Sequence, residues 1–214
     1  MKKLTVESIK SKFPNARTRT YSKGQIIYYQ GDKPHYVFFL AKGHIRYYDI
    51  DKQGNEKIMH LMGPCNIFPM LFVFGIAEDV PAFYGAIDAV EVIAIPVEEF
   101  SKVTKQDVEF SNSLAKRFLT ELDELAYRIN SLEKSDAKSK VLNAVKYMAL
   151  HYGHTHGLWQ QIDFPLTQQL IADFTGLTRE TVSTTMQELE KEKLIRSQKT
   201  LRLEVKRSEL EKTL

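Results

Sequence analysis

Apolar positions change rhythm three times along the chain. From about Thr18 to Pro96, short runs rich in Tyr, Phe, Ile and Val alternate with Gly24, Gly31, Gly43, Gly54 and Gly63, which lie 7, 12, 11 and 9 residues apart. Short β-prone runs between evenly spaced turn residues predict an all-β sandwich or barrel. Strands are expected over residues 25–29, 36–40, 44–48, 57–61 and 91–95, with a hairpin loop at Asp51-Lys52-Gln53-Gly54-Asn55. Between Val97 and Gly153 glycine and proline are absent and helical spacing takes over. Phe118, Leu122, Leu125, Ile129 and Leu132 recur at steps of 4, 3, 4 and 3, a heptad seam with Glu121, Asp123, Glu124, Arg128 and Glu133 on the other faces. Leu114 and Leu119 lie off that seam and predict a second stripe packed on the β region. The seam suits a dimerisation helix or a helix packed wholly inside one chain; spacing alone serves both.

A third region begins near Ser135 or Asp136, either of which can cap a new helix. Val141, Leu142, Val145, Met148 and Ala149 carry it to Gly153, expected as its terminating glycine. Over Leu166 to Ile195 the pattern predicts two short helices joined by a tight turn. Thr167 caps the first, Thr175-Gly176-Leu177 makes the turn, and Thr178 caps the second. Val182, Met186 and Leu189 form the buried stripe of the second helix at steps of 4 and 3. Its other face carries Arg179, Glu180, Ser183, Thr184 and Gln187, hydrogen-bonding side chains of the kind that reach base edges in a major groove. A hairpin candidate follows. Between Lys193 and Arg207 six basic residues (Lys193, Arg196, Lys199, Arg202, Lys206 and Arg207) face one acid, Glu204, and Arg196, Lys199 and Arg202 are expected along phosphates. This is a helix-turn-helix with a wing.

Composition narrows the alternatives. The chain has 214 residues, 43% hydrophobic and 27% charged, with a net charge of +3, which permits nucleic acid as partner without requiring it. A single cysteine, Cys65, excludes a disulfide framework and a cysteine-built zinc finger; it reads as a small buried hydrophobe. The longest apolar run, near residues 67–77, is too short to span a bilayer, and the N-terminus lacks the apolar segment of a signal peptide, so a cytoplasmic location is expected. His151, His154 and His156 have a metal-like spacing but no evident fourth ligand, and read as a polar turn; no metal site is expected. A cupin-type metal enzyme is the contrasting class. Its His-x-His pair would have to lie inside the barrel, and the one present, His154-Thr155-His156, lies outside it. No nucleophile elbow or phosphate-binding glycine loop is found, so the chain does not read as an enzyme.

Leu170-Ile171-Ala172-Asp173-Phe174-Thr175-Gly176-Leu177-Thr178-Arg179-Glu180-Thr181-Val182-Ser183 closely resembles the DNA-binding signature of the Crp/Fnr family of bacterial transcription regulators. Gly31-Asp32, Gly43-His44-Ile45, the Gly54 turn, Gly63-Pro64 and Ala94-Ile95-Pro96 are similar to that family's β-roll. The resemblance implies an α+β protein: an N-terminal β-roll (jelly-roll) sensor over 1–105, a long dimerisation helix over 106–134, and a C-terminal winged helix-turn-helix over 135–214. It implies a homodimer on pseudo-palindromic double-stranded DNA, with RNA polymerase as a further partner.

Two departures from the family pattern stand out. Glu180 matches the family's base-reading glutamate, but Thr184 stands where an arginine is usual. Losing a bidentate arginine–guanine contact removes about 1–3 kcal/mol of discrimination at one base pair. In the effector cassette, Pro69-Met70 stands where the resemblance implies Gly-Glu, and Val80-Pro81-Ala82 where it implies Arg-Ser-Ala. Pro69, Met70, Leu71, Phe72, Val80, Pro81, Ala82 and Phe83 therefore line a degenerate pocket without the groups that hold a cyclic nucleotide. Regulation by cyclic AMP or cyclic GMP is not expected. Phe68, Phe72, Phe74, Phe83 and Tyr84 are expected to fill the roll themselves. The other course is an apolar ligand such as haem, with His35, His44 or His60 as axial ligand; no cofactor is the preferred reading.

Overall fold

A computed structural model describes residues 4–132, 136–197 and 203–210. The chain divides into two units, residues 1–49 with 58–122, and residues 50–57 with 123–214. The division falls within the long helix, after residue 122.

The first unit opens with helix α1 (Val6–Lys12), capped at Thr5 by a reciprocal pair with Ser8. Strands β1 (Arg17–Tyr21), β2 (Ile26–Tyr28), β3 (Tyr36–Lys42), β4 (Ile45–Ile50), β5 (Glu56–Met62) and β6 (Ile67–Phe68) follow. After a short helix α2 (Met70–Val73) come β7 (Phe83–Ala86) and β8 (Val90–Pro96), then helix α3 (Val97–Gln106) and helix α4 (Val108–Leu132). Two four-stranded sheets form, in the orders β1-β8-β3-β6 and β2-β7-β4-β5.

Side-chain alternation explains the layers. On β3, Phe38 and Leu40 face the interior between the sheets while Val37 and Phe39 face the helices. On β8, Val92 and Ala94 face inward and Ile93 and Ile95 outward. Strands buried on both faces read as near-continuous apolar runs. The outer cluster takes in Ile9 and Phe13 of α1, Phe100 of α3, and Phe110 and Leu114 of α4. Phe13 stacks on Phe100 and meets Phe110 edge-on, and Lys12 pairs with Asp107 at the head of α4.

Gly24, Gly31, Gly43 and Gly54 all take positive φ, as turn glycines do. At the Gly63 turn the positive φ falls instead on Cys65 (φ 73), which is exposed, not buried as expected. Its N–H donates to the Leu40 carbonyl at 2.8 Å, so the turn's geometry holds it outward.

The second unit contains helix α5 (Ala137–Tyr152), strands β9 (Gly153–His156) and β10 (Trp159–Ile162), helices α6 (Gln168–Thr175) and α7 (Arg179–Lys191), strands β11 (Ile195–Ser197) and β12 (Leu203–Lys206), and the short helix α8 (Arg207–Leu210). The four strands form a sheet in the order β11-β12-β10-β9. Asp136 caps α5 by accepting the Ser139 N–H at 2.8 Å, which holds its carboxyl below the usual range. Ser135 lies outside the described residues.

Gly153 ends α5, but not in the left-handed conformation expected of it: its backbone is extended (φ −134). Glycine is required there by crowding, since a Cβ would lie 2.4 Å from the Gln161 carbonyl oxygen and 2.6 Å from that of Ala149. The segment expected as a polar histidine turn is strand β9, paired with β10. Among the described residues no helix is long and apolar enough to cross a membrane.

Candidate DNA interface and effector pocket

Helices α6 and α7 are set by their caps. Thr167 accepts the Leu170 N–H at 3.1 Å and Thr178 the Thr181 N–H at 3.2 Å, each satisfying an orphan donor of a first turn. Gly176 takes φ 72 between them, a conformation that costs other residues a steric penalty. Arg128 of α4 closes α6: its guanidinium lies 4.4 Å over the Phe174 ring and donates to the Phe174 carbonyl at 3.2 Å. A cation there complements the negative end of the helix, and burial holds its pKa below the usual arginine value. Leu170, Ile171 and Phe174 of α6, with Val182, Met186 and Leu189 of α7, are buried.

Burial of that stripe fixes the opposite face. Arg179, Glu180, Thr184 and Gln187 are exposed and Ser183 is half-buried beside them. Thr184 donates its hydroxyl to the Glu180 carbonyl at 3.1 Å. The head of α7 thus offers a guanidinium, a carboxylate, an amide and two hydroxyls, donors and acceptors suited to base edges.

The wing treats its basic residues unequally. Lys199 and Arg202 lie outside the described residues. Arg196 stands opposite Glu204 across β11 and β12, pairs with its carboxylate, and stacks 4.4 Å over the Trp159 ring. Glu204 is fully buried, and its other oxygen lies 2.7 Å from His156 Nδ1. Arg196, expected along phosphates, is held by this carboxylate: a buried carboxylate requires a partner, and Arg196 is the cross-strand neighbour. His154 meets Asp163 at 2.5 Å and His151 lies 3.7 Å from Glu124. Each histidine of the cluster faces a separate carboxylate, and among the described residues no three His, Cys, Asp or Glu side chains converge as a metal site would need.

Helix α4 divides the residues of the expected seam between two faces. Phe110, Leu114 and Phe118, four residues apart, face the β core, and Phe118 also meets Phe74 edge-on at 6.0 Å. Leu125 is half-buried, and the Leu132 side chain lies outside the described residues. Exposed instead are Ala115, Leu119, Leu122, Ala126 and Ile129, which themselves step by 4, 3, 4 and 3. Leu119, expected against the β region, is 64% exposed, like Leu122 (63%) and Ile129 (59%). Two interleaved stripes share this helix, and Phe118 belongs to the inner one.

Inside the β-roll the cassette positions have become core. Val80 is fully buried and Ala82 nearly so. The Val80 N–H donates to the Asp32 carbonyl at 2.9 Å while the Gly31 N–H donates to the Val80 carbonyl at 2.8 Å, so the segment is fastened to the Gly31 turn. Rings occupy the interior: Phe68 stacks on Tyr84 at 5.0 Å, Tyr28 on Phe38 at 5.1 Å, and Tyr47 lies 4.8 Å from Tyr84. Burial raises the Tyr28 and Tyr84 hydroxyl pKa values well above the phenol range, so both stay neutral.

The filling set differs from the expected one. Phe68 and Tyr84 are part of it, but so are Tyr28 and Phe38, which the expectation leaves out. Met70 packs on the outer cluster, Leu71 and Phe74 are exposed, and Phe83 stacks on Tyr48 at 5.4 Å. Pro69 is buried, Phe72 and Pro81 are half-buried, and the Pro81 carbonyl accepts from Gln30 at 3.1 Å. Alternation along β3 is the signal that could place Phe38 inside; on β2 a register shift between Ile26 and Tyr28 brings the adjacent Ile27 and Tyr28 into the same cluster.

A two-sheet roll, a long helix and a winged helix with an exposed recognition face define a DNA-binding transcription regulator. Residues 18–107 match the cyclic nucleotide-binding domain family and residues 144–212 the Crp-like helix-turn-helix domain family. The HTH-type transcriptional regulator ArcR of Staphylococcus epidermidis is 28% identical over 179 residues, covering 83% of this chain and 77% of that protein. The Global nitrogen regulator of Nostoc sp. is 25% identical over 179 residues, covering 82% of this chain and 79% of that protein. The fold is similar to FixK2 from Bradyrhizobium japonicum, with a TM-score of 0.76 at 20% identity over 92% of this chain and 96% of that one. The chain belongs to the Crp/Fnr family of transcription regulators.

Proposed function

We propose that this regulator acts in the cytoplasm as a homodimer on pseudo-palindromic DNA, and that cyclic nucleotides do not control it. The exposed polar head of α7 carries the first part. Arg179, Glu180, Ser183, Thr184 and Gln187 are the base-reading set, with Lys199 and Arg202 on phosphate. The apolar stripe Ala115, Leu119, Leu122, Ala126 and Ile129 favours a parallel pairing with a second copy, because covering a heptad of exposed apolar side chains removes apolar surface from water. Against cyclic nucleotides stands the buried Val80 at the position of a phosphate-binding arginine: an unpaired phosphate in that apolar interior costs several kcal/mol. Stacked rings also occupy the interior that haem ligation by His35, His44 or His60 would need.

Selection from random duplex DNA tests the reading. An inverted repeat with half-sites one helical turn apart is expected; single, unrepeated sites would overturn the dimer. Calorimetric titration with cyclic AMP should show no binding at micromolar concentrations.

A further inference from the structure

At the mouth of the β-roll, on the outer side of the Gly31 turn that fastens the cassette, β1 and the β2–β3 loop border a cleft of about 280 Å³. Arg19, Lys33 and His35 lie on its rim, against Tyr21, Tyr28 and Tyr36. The Arg19 guanidinium rests 4.2 Å from the Tyr36 ring centre, and among the described residues it has no acidic partner. Tyr28 donates its hydroxyl to the Tyr36 carbonyl at 2.7 Å, which fixes the floor. The one carboxylate in the lining, Asp32, is already engaged by the Tyr29 N–H at 2.8 Å.

We infer that this cleft binds a small aromatic carboxylate, its ring among the tyrosines and its charge on Arg19. A guanidinium resting over an aromatic ring can still present an N–H edge, and such an edge matches a carboxylate in two parallel hydrogen bonds. Lys33 adds a second positive charge. The volume falls just below the ~300–1,000 Å³ range of drug-sized ligand pockets, which suits a single-ring acid better than a nucleotide. Arg19 sits on edge strand β1 with its side chain exposed, so the charge enters without the desolvation that closes the interior. The inference is independent of the proposed indifference to cyclic nucleotides.

Isotope-edited NMR titration of the full-length protein with phenylacetate, and separately with its neutral counterpart phenylacetamide, tests it. Saturable shifts at Tyr21, Tyr28 and Tyr36 are expected with phenylacetate, with the amide at least about tenfold weaker. Arg19→Gln should weaken phenylacetate about tenfold and leave the amide unchanged, with folding checked by circular dichroism. Lys33→Gln should have the same sign and a smaller size. Equal affinity for acid and amide, unchanged binding in Arg19→Gln, or no saturable shift up to about 10 mM would each overturn the site.

Discussion

The head of α7 keeps its polar chemistry on the surface, whereas the β-roll has replaced its polar chemistry with packing. Arg179, Glu180, Thr184 and Gln187 project into solvent and are constrained by little but the helix beneath them. Val80, Phe68 and Tyr84 belong to one buried apolar cluster, and Ala82 is buried beside Val80 in the chain. In the first region a residue's identity is set by what it meets outside the chain. In the second it is set by volume and packing.

The most severe way to break this contrast is to restore a charge to the interior. Val80→Arg should destabilise the protein by several kcal/mol, visible as a large fall in thermal midpoint, and should confer no cyclic AMP binding. A stable variant that binds the nucleotide would show that the cassette is a site and not core. Phe68→Ala should cost about 3–5 kcal/mol in urea unfolding, as removal of a buried ring does. A loss under about 1 kcal/mol would mean the rings are loosely held.

The two stripes of α4 are separated by a paired substitution. Leu119→Asp should give monomers in sedimentation at unchanged fold, because it charges only the exposed stripe. Phe118→Ala should lower stability and leave assembly intact. The reverse outcome would restore the inner stripe as the seam. Glu180→Ala should relax selection at one base pair by about 1–3 kcal/mol while the melting curve stays put. Smallest of all, Thr178→Ala should remove a cap worth about 1 kcal/mol and weaken every DNA sequence alike.

Elements with strong local signals are legible in the amino-acid sequence alone. Turn glycines mark the strands, the threonine caps and Gly176 mark the helix-turn-helix, and the missing arginine at Val80 marks the altered cassette. Features set by tertiary neighbours are not. Phe118 and Leu119 are adjacent, each completes a heptad-like spacing, and only contact with Phe110 and Leu114 decides which one turns inward. Arg196 reads as a free cation because Glu204 is eight residues away along the chain and directly opposite only once β11 and β12 pair. Gly153 reads as a helix cap, although backbone oxygens from Ala149 and Gln161 are what exclude any side chain there.

The Arg196–Glu204 pair has a consequence for the ions around the DNA. Each phosphate that a free lysine or arginine neutralises releases condensed counterions, and the logarithm of affinity falls with that of salt by about 0.9 per contact. Arg196 already shares its charge with a carboxylate that folding has sealed from solvent. The wing should therefore release fewer counterions than its basic residues suggest, and its affinity should fall less steeply with salt.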